Sequence, residues 1–310
     1  MAKTQALLME KIMKEREIIV MKFGGSSVEN AGRFNHAASI VRDYSQEYKV
    51  VVVVSAIYGV TDRLLDVVDG IKSGRYAEVE ERIDNLYQLH SEAARSLSLL
   101  EQRPLSESLD RFRADLLSFV QFPAMQPSDE DFIASYGERL SYLLLSGAIS
   151  RQGVSSQPVD AANIIVTNNE YHNAKADLEL SQLQARYHLD PLIARSIIPV
   201  IGGYYGLSYE GKVAVLGRGG SDYTAAAVTN ILDASKLILW KEVDGIYSAD
   251  PKKDPLAEFF PDVSYDKAEA LARNGAKILH PESITPLRVK NIPIEVKNFD
   301  NPSSPGSRIY

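Results

Sequence analysis

Short apolar runs alternate with stretches of helical period along most of the chain. The runs Glu17–Lys22, Lys49–Ser55, Ser196–Ile201, Val213–Leu216, Lys236–Trp240 and Ile292–Asn298 are rich in β-branched residues, and several are nearly all apolar. That is the pattern of strands covered on both faces of a parallel sheet. Between residues 62 and 120 no such run occurs. Apolar positions recur there at helical spacing, punctuated by Pro104 and Phe122-Pro123, which predicts a helical excursion over one side of the sheet. Tyr209-Glu210-Gly211-Lys212 predicts a hairpin turn between strands. Asp266, with Glu269 three residues on, predicts a capped helix start, and Gly275 its end. Alternating strands and helices of this kind make an α/β fold with a mainly parallel sheet. Residues 1–16 carry the pairs Leu7-Leu8 and Ile12-Met13 among Lys, Arg and Glu, and predict a helical lead-in that contributes to self-association. The stretch Asn301–Ser307 reads as a linker.

Composition narrows the function classes. The 310 residues suffice for one large domain or two lobes, and the net charge of -7 argues against non-specific binding to nucleic acid or to an anionic membrane. With no cysteine, disulfides, thiol catalysis and Cys-ligated zinc are excluded. The five histidines, His36, His90, His172, His188 and His280, are scattered without metal-ligand spacing. No apolar run approaches the roughly 20 residues of a spanning helix, and residues 1–17 do not resemble a signal peptide. The expectation is a soluble cytoplasmic protein.

Two glycine clusters carry the candidate chemistry. Lys22-Phe23-Gly24-Gly25-Ser26-Ser27-Val28 follows the first strand. Glycines let backbone N–H groups approach an anion, and Lys22 adds a point charge beside them. The order is not that of a Walker loop, in which lysine follows the glycines. Gly217-Arg218-Gly219-Gly220-Ser221-Asp222 opens onto a second helix-like stretch. Ser221 or Asp222 would cap that helix in the plainest reading, although a cap needs neither Arg218 nor three glycines. Beside phosphates, Asp222 would repel unless it oriented a lysine or a metal ion. Two anion-cradling loops suggest a kinase. Ser55 and Thr61 follow the second strand, where loops of a parallel sheet line a ligand crevice; turn or helix-cap roles are the alternative for both, and the stronger reading for Thr61 alone. Lys277 by itself reads as a solvated surface residue, and Trp240 as a nucleobase cover or a packed loop residue.

Together these residues resemble the aspartate kinases of the amino-acid kinase family. KFGGSSV, the Val53–Asp62 stretch, Gly137-Glu138-Arg139-Leu140-Ser141, Gly217–Ala225 and Gly275–Pro281 appear in the family's order, and the resemblance runs from about Glu17 to Arg308. It implies a three-layer αβα sandwich around a mainly parallel sheet, with two lobes at about 17–195 and 196–310 binding aspartate and ATP respectively. It implies transfer of the γ-phosphoryl group of ATP to the β-carboxylate of L-aspartate, with Mg²⁺, as a first step toward lysine, threonine and methionine. Lys22 and Asp222 would form the catalytic centre, with Gly24, Gly25 and Ser26 near the transferred group. Ser55, Ala56, Thr61, Glu138, Tyr204, Arg218 and Ser221 match aspartate-site positions; Lys241, Glu242, Tyr247, Lys252 and Lys277 match nucleotide-side positions. Tyr204 stands where the family often has Phe, Lys241 where Thr or Ser is common, and Lys252 where Arg is frequent.

Rival readings are a kinase for another acid or for a nucleotide monophosphate, and a non-catalytic amino-acid sensor. Glu138 speaks against the first, since N-acetylglutamate and UMP bring no ammonium group for it to pair with. Intact Lys22 and Asp222 speak against the second. Aspartate kinases usually continue into ACT regulatory domains beyond the position of Tyr310. Two expectations stay open: a short form with no intrinsic feedback inhibition by lysine or threonine, any regulation coming from a separate subunit, or a piece of a longer protein; a homodimer is expected in addition.

Overall fold

The apolar runs pair as their composition predicts. The computed structural model describes residues 16–249, 251, 254, 256–273 and 279–310. The strands are β1 Ile18–Phe23, β2 Lys49–Val54, β3 Ser156–Val159, β4 Val166–Thr167, β5 Ala176–Asp177, β6 Ile198–Gly202 and β7 Tyr205–Ser208. They continue as β8 Val213–Val215, β9 Lys236–Lys241, β10 Ile246–Tyr247, β11 Phe259–Phe260, β12 Asp262–Val263, β13 Ile294–Asn298 and β14 Ser307–Ile309. The helices are α1 Ala31–Tyr44, α2 Val60–Lys72, α3 Tyr76–Ser96, α4 Arg103–Gln121, α5 Pro127–Ala134 and α6 Tyr136–Arg151. After them come α7 Leu178–His188, α8 Asp190–Ala194, α9 Gly220–Ile231, α10 Tyr265–Arg273 and α11 Thr285–Arg288.

One eight-stranded sheet runs in the order β12-β14-β13-β9-β1-β2-β6-β3, and every neighbouring pair except β13–β14 is parallel. Strand period two sends alternate residues of β1 to opposite faces. Ile19, Met21 and Phe23 pack with Phe34 of α1, Leu64 of α2, Ile83 of α3, Phe112 of α4 and Leu144 of α6. Val20, with Val51 and Val53 of β2, packs instead with Ala185 of α7, Ala225–Val228 of α9 and Leu287 of α11. Helices thus cover both faces, and the architecture is a three-layer αβα sandwich. The helical excursion is α2, α3 and α4, all on the first face. Trp240 is fully buried, stacked on Phe23 at 6.1 Å and edge-on to Tyr44 at 5.8 Å. Of its two readings, packing holds.

Three local differences have physical reasons. The run Val213–Leu216 yields β8, which pairs with β7 in a separate four-stranded sheet because the Tyr209–Lys212 hairpin folds it back antiparallel. Helix α10 is capped by Ser264, whose Oγ accepts from Lys267 N–H at 3.3 Å; Asp266 and Glu269 instead pair with Arg288. Its expected end at Gly275 lies outside the described residues, as does the lead-in over 1–15. The stretch Asn301–Ser307 is no linker, since it turns the chain back so that β14 joins the main sheet beside β13.

His90 is the buried base of the helical layer, 1% exposed. Its Nδ1 donates to the Leu86 carbonyl at 2.8 Å, while Nε2 is buried without a partner among the described residues. Burial pulls its pKa down to about 4, with the Leu86 carbonyl opposing. The unfolded chain binds this proton near 6.5. Stability from keeping the ring neutral is therefore complete above about pH 6.5 and is lost as pH falls toward about 4. About 3 kcal/mol should disappear over that window. In urea titrations at pH 7 and pH 4.5, His90→Leu should lose less stability on acidification than the wild type. Equal acid loss in both proteins would count against this account.

Candidate active site

Parallel strands end together, so β1, β2, β6 and β9 deliver their following loops to one edge of the sheet. In an open α/β sheet that edge is where ligands bind. Lys22 shares the Val20 face of β1 and points toward α9, the helix that carries Asp222. The Lys22 Nζ lies 2.6 Å from Asp222 Oδ1, and Lys241 Nζ, at the end of β9, lies 3.1 Å from Asp222 Oδ2. Lys22 is 6% and Asp222 8% exposed. Burial alone would raise the Asp222 carboxyl, but the two ammonium groups outweigh it and hold the group well below the usual carboxylate range. Burial pulls the Lys22 ammonium down from its ordinary value, and Asp222 opposes that shift. The sequence left two partners open for Asp222, a lysine or a metal; both nearby lysines pair with it.

Helix α9 begins at a glycine because the backbone there demands one. Gly219 has φ 74°, and a Cβ on it would stand 2.4 Å from His280 Cβ. Neither Ser221 nor Asp222 makes a cap bond, so both are free to face the cleft from the first turn. The first loop is equally tight. A Cβ on Gly25 would come within 2.9 Å of the Ala56 carbonyl oxygen, which locks the loops after β1 and β2 together. Thr61 does not cap α2 either, since Gly59 occupies that position.

Glu138 sits in the first turn of α6 and is 3% exposed. Its Oε2 is buried with no hydrogen-bond partner among the described residues. Burial pushes its pKa up to about 8, against the amide N–H groups of Ala56 and Glu138 and the charge of Lys22, which favour the ionised form. A buried carboxyl of this kind favours its ionised form only beside a positively charged partner.

A cleft of about 590 Å³ joins these groups. Lys22, Gly25, Ser55, Ala56, Thr61 and Glu138 line it from the first half of the chain, and Tyr204, Arg218, Ser221 and Asp222 from the second. Tyr204 holds a left-handed backbone, φ 77°, with its N–H donating to Thr224 Oγ1 at 3.0 Å. The remaining expected residues stand apart from the cleft wall. Gly24 lies next to the Lys22 ammonium, and Ser26 turns its carbonyl to Arg33 Nε. Lys241 reaches the site through Asp222; Glu242 faces Arg33 at 3.4 Å; and Tyr247 packs edge-on to Phe259 at 5.3 Å. Lys252 and Lys277 lie outside the described residues. The sequence reading missed Tyr58, Leu65, Glu130, Asp131 and His172 on the cleft wall. Asp131 ends an acidic run that reads as a solvated helix start, and His172 is a lone histidine in a loop, so neither gave a signal.

The Amino acid kinase family model matches residues 17–298. The chain belongs to the amino acid kinase family. Among the curated relatives of this family member, Aspartokinase 2, chloroplastic, of Arabidopsis thaliana is 32% identical over 303 residues, covering 94% of this chain and 54% of that protein. Lysine-sensitive aspartokinase 3 of Escherichia coli is 30% identical over 295 residues, covering 94% and 64% respectively. The crystal structure of E. coli aspartokinase III in complex with aspartate and ADP superposes with a TM-score of 0.83 at 29% identity, covering 94% of this chain and 64% of that one. The family member described here thus spans between half and two thirds of the length of these relatives.

Among the described residues no group of three or more His, Asp or Glu side chains could hold a metal ion. A Mg²⁺ carried on nucleotide phosphates needs only one or two carboxylates, and Asp222 is a buried carboxylate on the cleft wall. No described helix is long and apolar enough to cross a membrane.

Proposed function

We propose that this kinase transfers the γ-phosphoryl group of ATP to the β-carboxylate of L-aspartate. The observation that carries this reading is the buried Glu138 carboxyl, whose Oε2 has no partner among the described residues, in the same cleft as the Lys22–Asp222 pair. A kinase for a substrate without an ammonium group has no use for the first, and a binding module has none for the second.

The substrate's β-carboxylate has a reference pKa of about 3.9 and arrives ionised, so no general base is required. Its oxygen attacks the γ-phosphorus, the bond from that phosphorus to the β–γ bridging oxygen breaks, and ADP leaves. Both reactants are anions, so the protein's task is to bring them together in line and to neutralise charge as it develops. Lys22 supplies fixed positive charge at the transferred group, and Asp222 holds it in place. Arg218 takes the α-carboxylate in a bidentate pair, and Glu138 accepts from the α-ammonium. Ser55 and Thr61 offer hydroxyl donors to the substrate's carboxylates, and the Gly24–Ser26 backbone offers N–H groups to phosphate. Mg²⁺, bound with the nucleotide, supplies further neutralisation of phosphate charge. Residues from both halves line the cleft, with the amino acid toward residues 17–195 and the nucleotide toward 196–310.

The test is ATP-dependent hydroxamate formation, in which hydroxylamine traps an acyl phosphate. L-Aspartate should give signal, whereas N-acetyl-L-aspartate and UMP should give none. Turnover of L-glutamate in preference to L-aspartate would move the substrate, and absence of any acyl phosphate would overturn the reading. Lys241 gives a graded check. Lys241→Thr leaves Asp222 paired with Lys22, so kcat should fall about tenfold, a loss of about 1.4 kcal/mol. A fall as deep as that of a Lys22 variant would show that the two lysines act as one unit.

A further inference from the structure

The cleft wall holds one built feature that the phosphoryl-transfer reading leaves unused. Asp131, on α5, is 1% exposed and gathers three donors from two other segments. It accepts His172 N–H at 2.9 Å, His172 Nδ1 at 2.7 Å and Val215 N–H at 2.8 Å. One buried carboxylate therefore ties α5 to the loop carrying His172 and to β8, the strand that runs into the Gly217–Asp222 loop. The two loops also touch directly, for a Cβ on Gly217 would lie 3.3 Å from the His172 carbonyl oxygen.

His172 is held in a conformation it would not choose. Its φ is 68°, the left-handed region that favours glycine and strains a residue with a β-carbon. The backbone N–H bond to Asp131 would be available to any residue there. What histidine adds is the ring bond, and in the neutral ring that bond sets the tautomer: Nδ1–H is donated to Asp131, leaving Nε2 as an acceptor. The side chain remains 54% exposed, and Nε2 stands 3.9 Å from Glu130 Oε2, beyond hydrogen-bond length. Glu130 itself is engaged by Lys72 at 2.9 Å. The result is a ring fixed on one side and open to the cleft on the other.

Its neighbours say which ligand group it faces. Asp131, Ala134 and Glu138 line the cleft in succession from α5 into α6, and His172 lies against the first of them. The nucleotide-side residues Lys241, Glu242 and Tyr247 are not on this wall. An ammonium group has three N–H donors to place, and Glu138 leaves part of that requirement unmet. We propose that His172, oriented by Asp131, accepts a hydrogen bond from the α-ammonium group of the amino-acid substrate and so determines specificity for an amino acid over a plain dicarboxylate. This inference rests on the aspartate kinase reading. His172 is a contact residue; Asp131 acts through it and is a positioning residue.

His172→Gly is the informative variant, because glycine suits a φ of 68° and removes only the ring. The KM for L-aspartate should rise about tenfold, the scale of one hydrogen bond to a charged group, with the KM for ATP unchanged within twofold. Succinate, which lacks the ammonium, should bind as a competitive inhibitor with an unchanged Ki, so the preference for aspartate over succinate should shrink by the same factor. Asp131→Asn, which can present a donor to Nδ1 and turn the tautomer around, should reproduce the loss of preference. An unchanged preference would overturn the inference, whether the KM values stay put or rise together with a falling kcat as in general loop damage. A wild type that forms hydroxamate from aspartate while His172→Gly shows no selective effect refutes this inference alone. A wild type that forms none refutes the kinase reading and this inference with it.

Discussion

Lys22→Ala should lower kcat for acyl phosphate formation by about 10³-fold. Removing one preorganised donor from developing charge costs roughly 10²–10³ in rate. Lys22 does more than one donor does, since it carries a full charge in a site where only 6% of it meets solvent. Its loss also leaves Asp222 held by Lys241 alone, at 3.1 Å, and free to repel the incoming phosphate. Lys22→Arg should fail nearly as badly, because the larger planar guanidinium does not fit the 2.6 Å pairing built around a compact ammonium. The measurement is hydroxamate formation under saturating L-aspartate and ATP, with thermal unfolding run alongside to separate lost chemistry from lost fold. A variant that unfolds normally yet keeps more than a tenth of the wild-type rate would remove Lys22 from the phosphoryl site.

Glu138→Gln should improve stability and damage binding at the same time. In the free protein the Glu138 carboxyl titrates at about 8, against an ordinary value of 4.5. The folded state therefore keeps a proton that the unfolded chain releases. This favourable contribution is complete below about pH 4.5 and is lost as pH rises to about 8. The full loss is about 5 kcal/mol, from 3.5 pKa units at 1.36 kcal/mol each. Glutamine carries no charge to bury, so the variant should match the wild type near pH 5 and exceed it by a few kcal/mol at pH 9. Substrate binding runs the other way. An α-ammonium pairs with the ionised carboxylate, so aspartate affinity should climb with pH up to about 8 and binding near pH 7 should release a proton. Calorimetry in buffers of different ionisation enthalpy measures that proton directly. Glu138→Gln should abolish the release and raise KM for aspartate about 10²-fold. Proton release persisting in the variant would assign the titration to another group.

Much of the site was legible because its chemistry sits at turns that obey local rules. Lys22 ends a buried strand and precedes paired glycines; Gly219 opens α9 where only a left-handed residue fits; Glu138 begins a helix. Lys22 and the Gly219 loop can be found from strand ends and glycines, whereas Glu138 came from the resemblance to the aspartate kinases. Asp131 and His172 could not be found this way. They are 41 residues apart in sequence, neither belongs to a motif, and their pairing exists only because α5 and the 172 loop meet across β8. The reading left open at Trp240 was closed by burial and by ring partners, which no local pattern supplies.

By itself the sequence determined the elements and the carriers of charge: the buried strands through their β-branched runs, the α/β class through alternation, and the phosphate loops through glycines beside cations. Tertiary structure decided what each charged group faces. It set Lys241 on Asp222, turned Glu242 to Arg33, put β8 in a second sheet and buried Glu138 with its Oε2 lacking a partner among the described residues. The physical reason is range. Strand period, turn conformation and capping act over a few neighbouring residues, whereas ion pairing and desolvation depend on which distant segments the fold brings within a few ångströms.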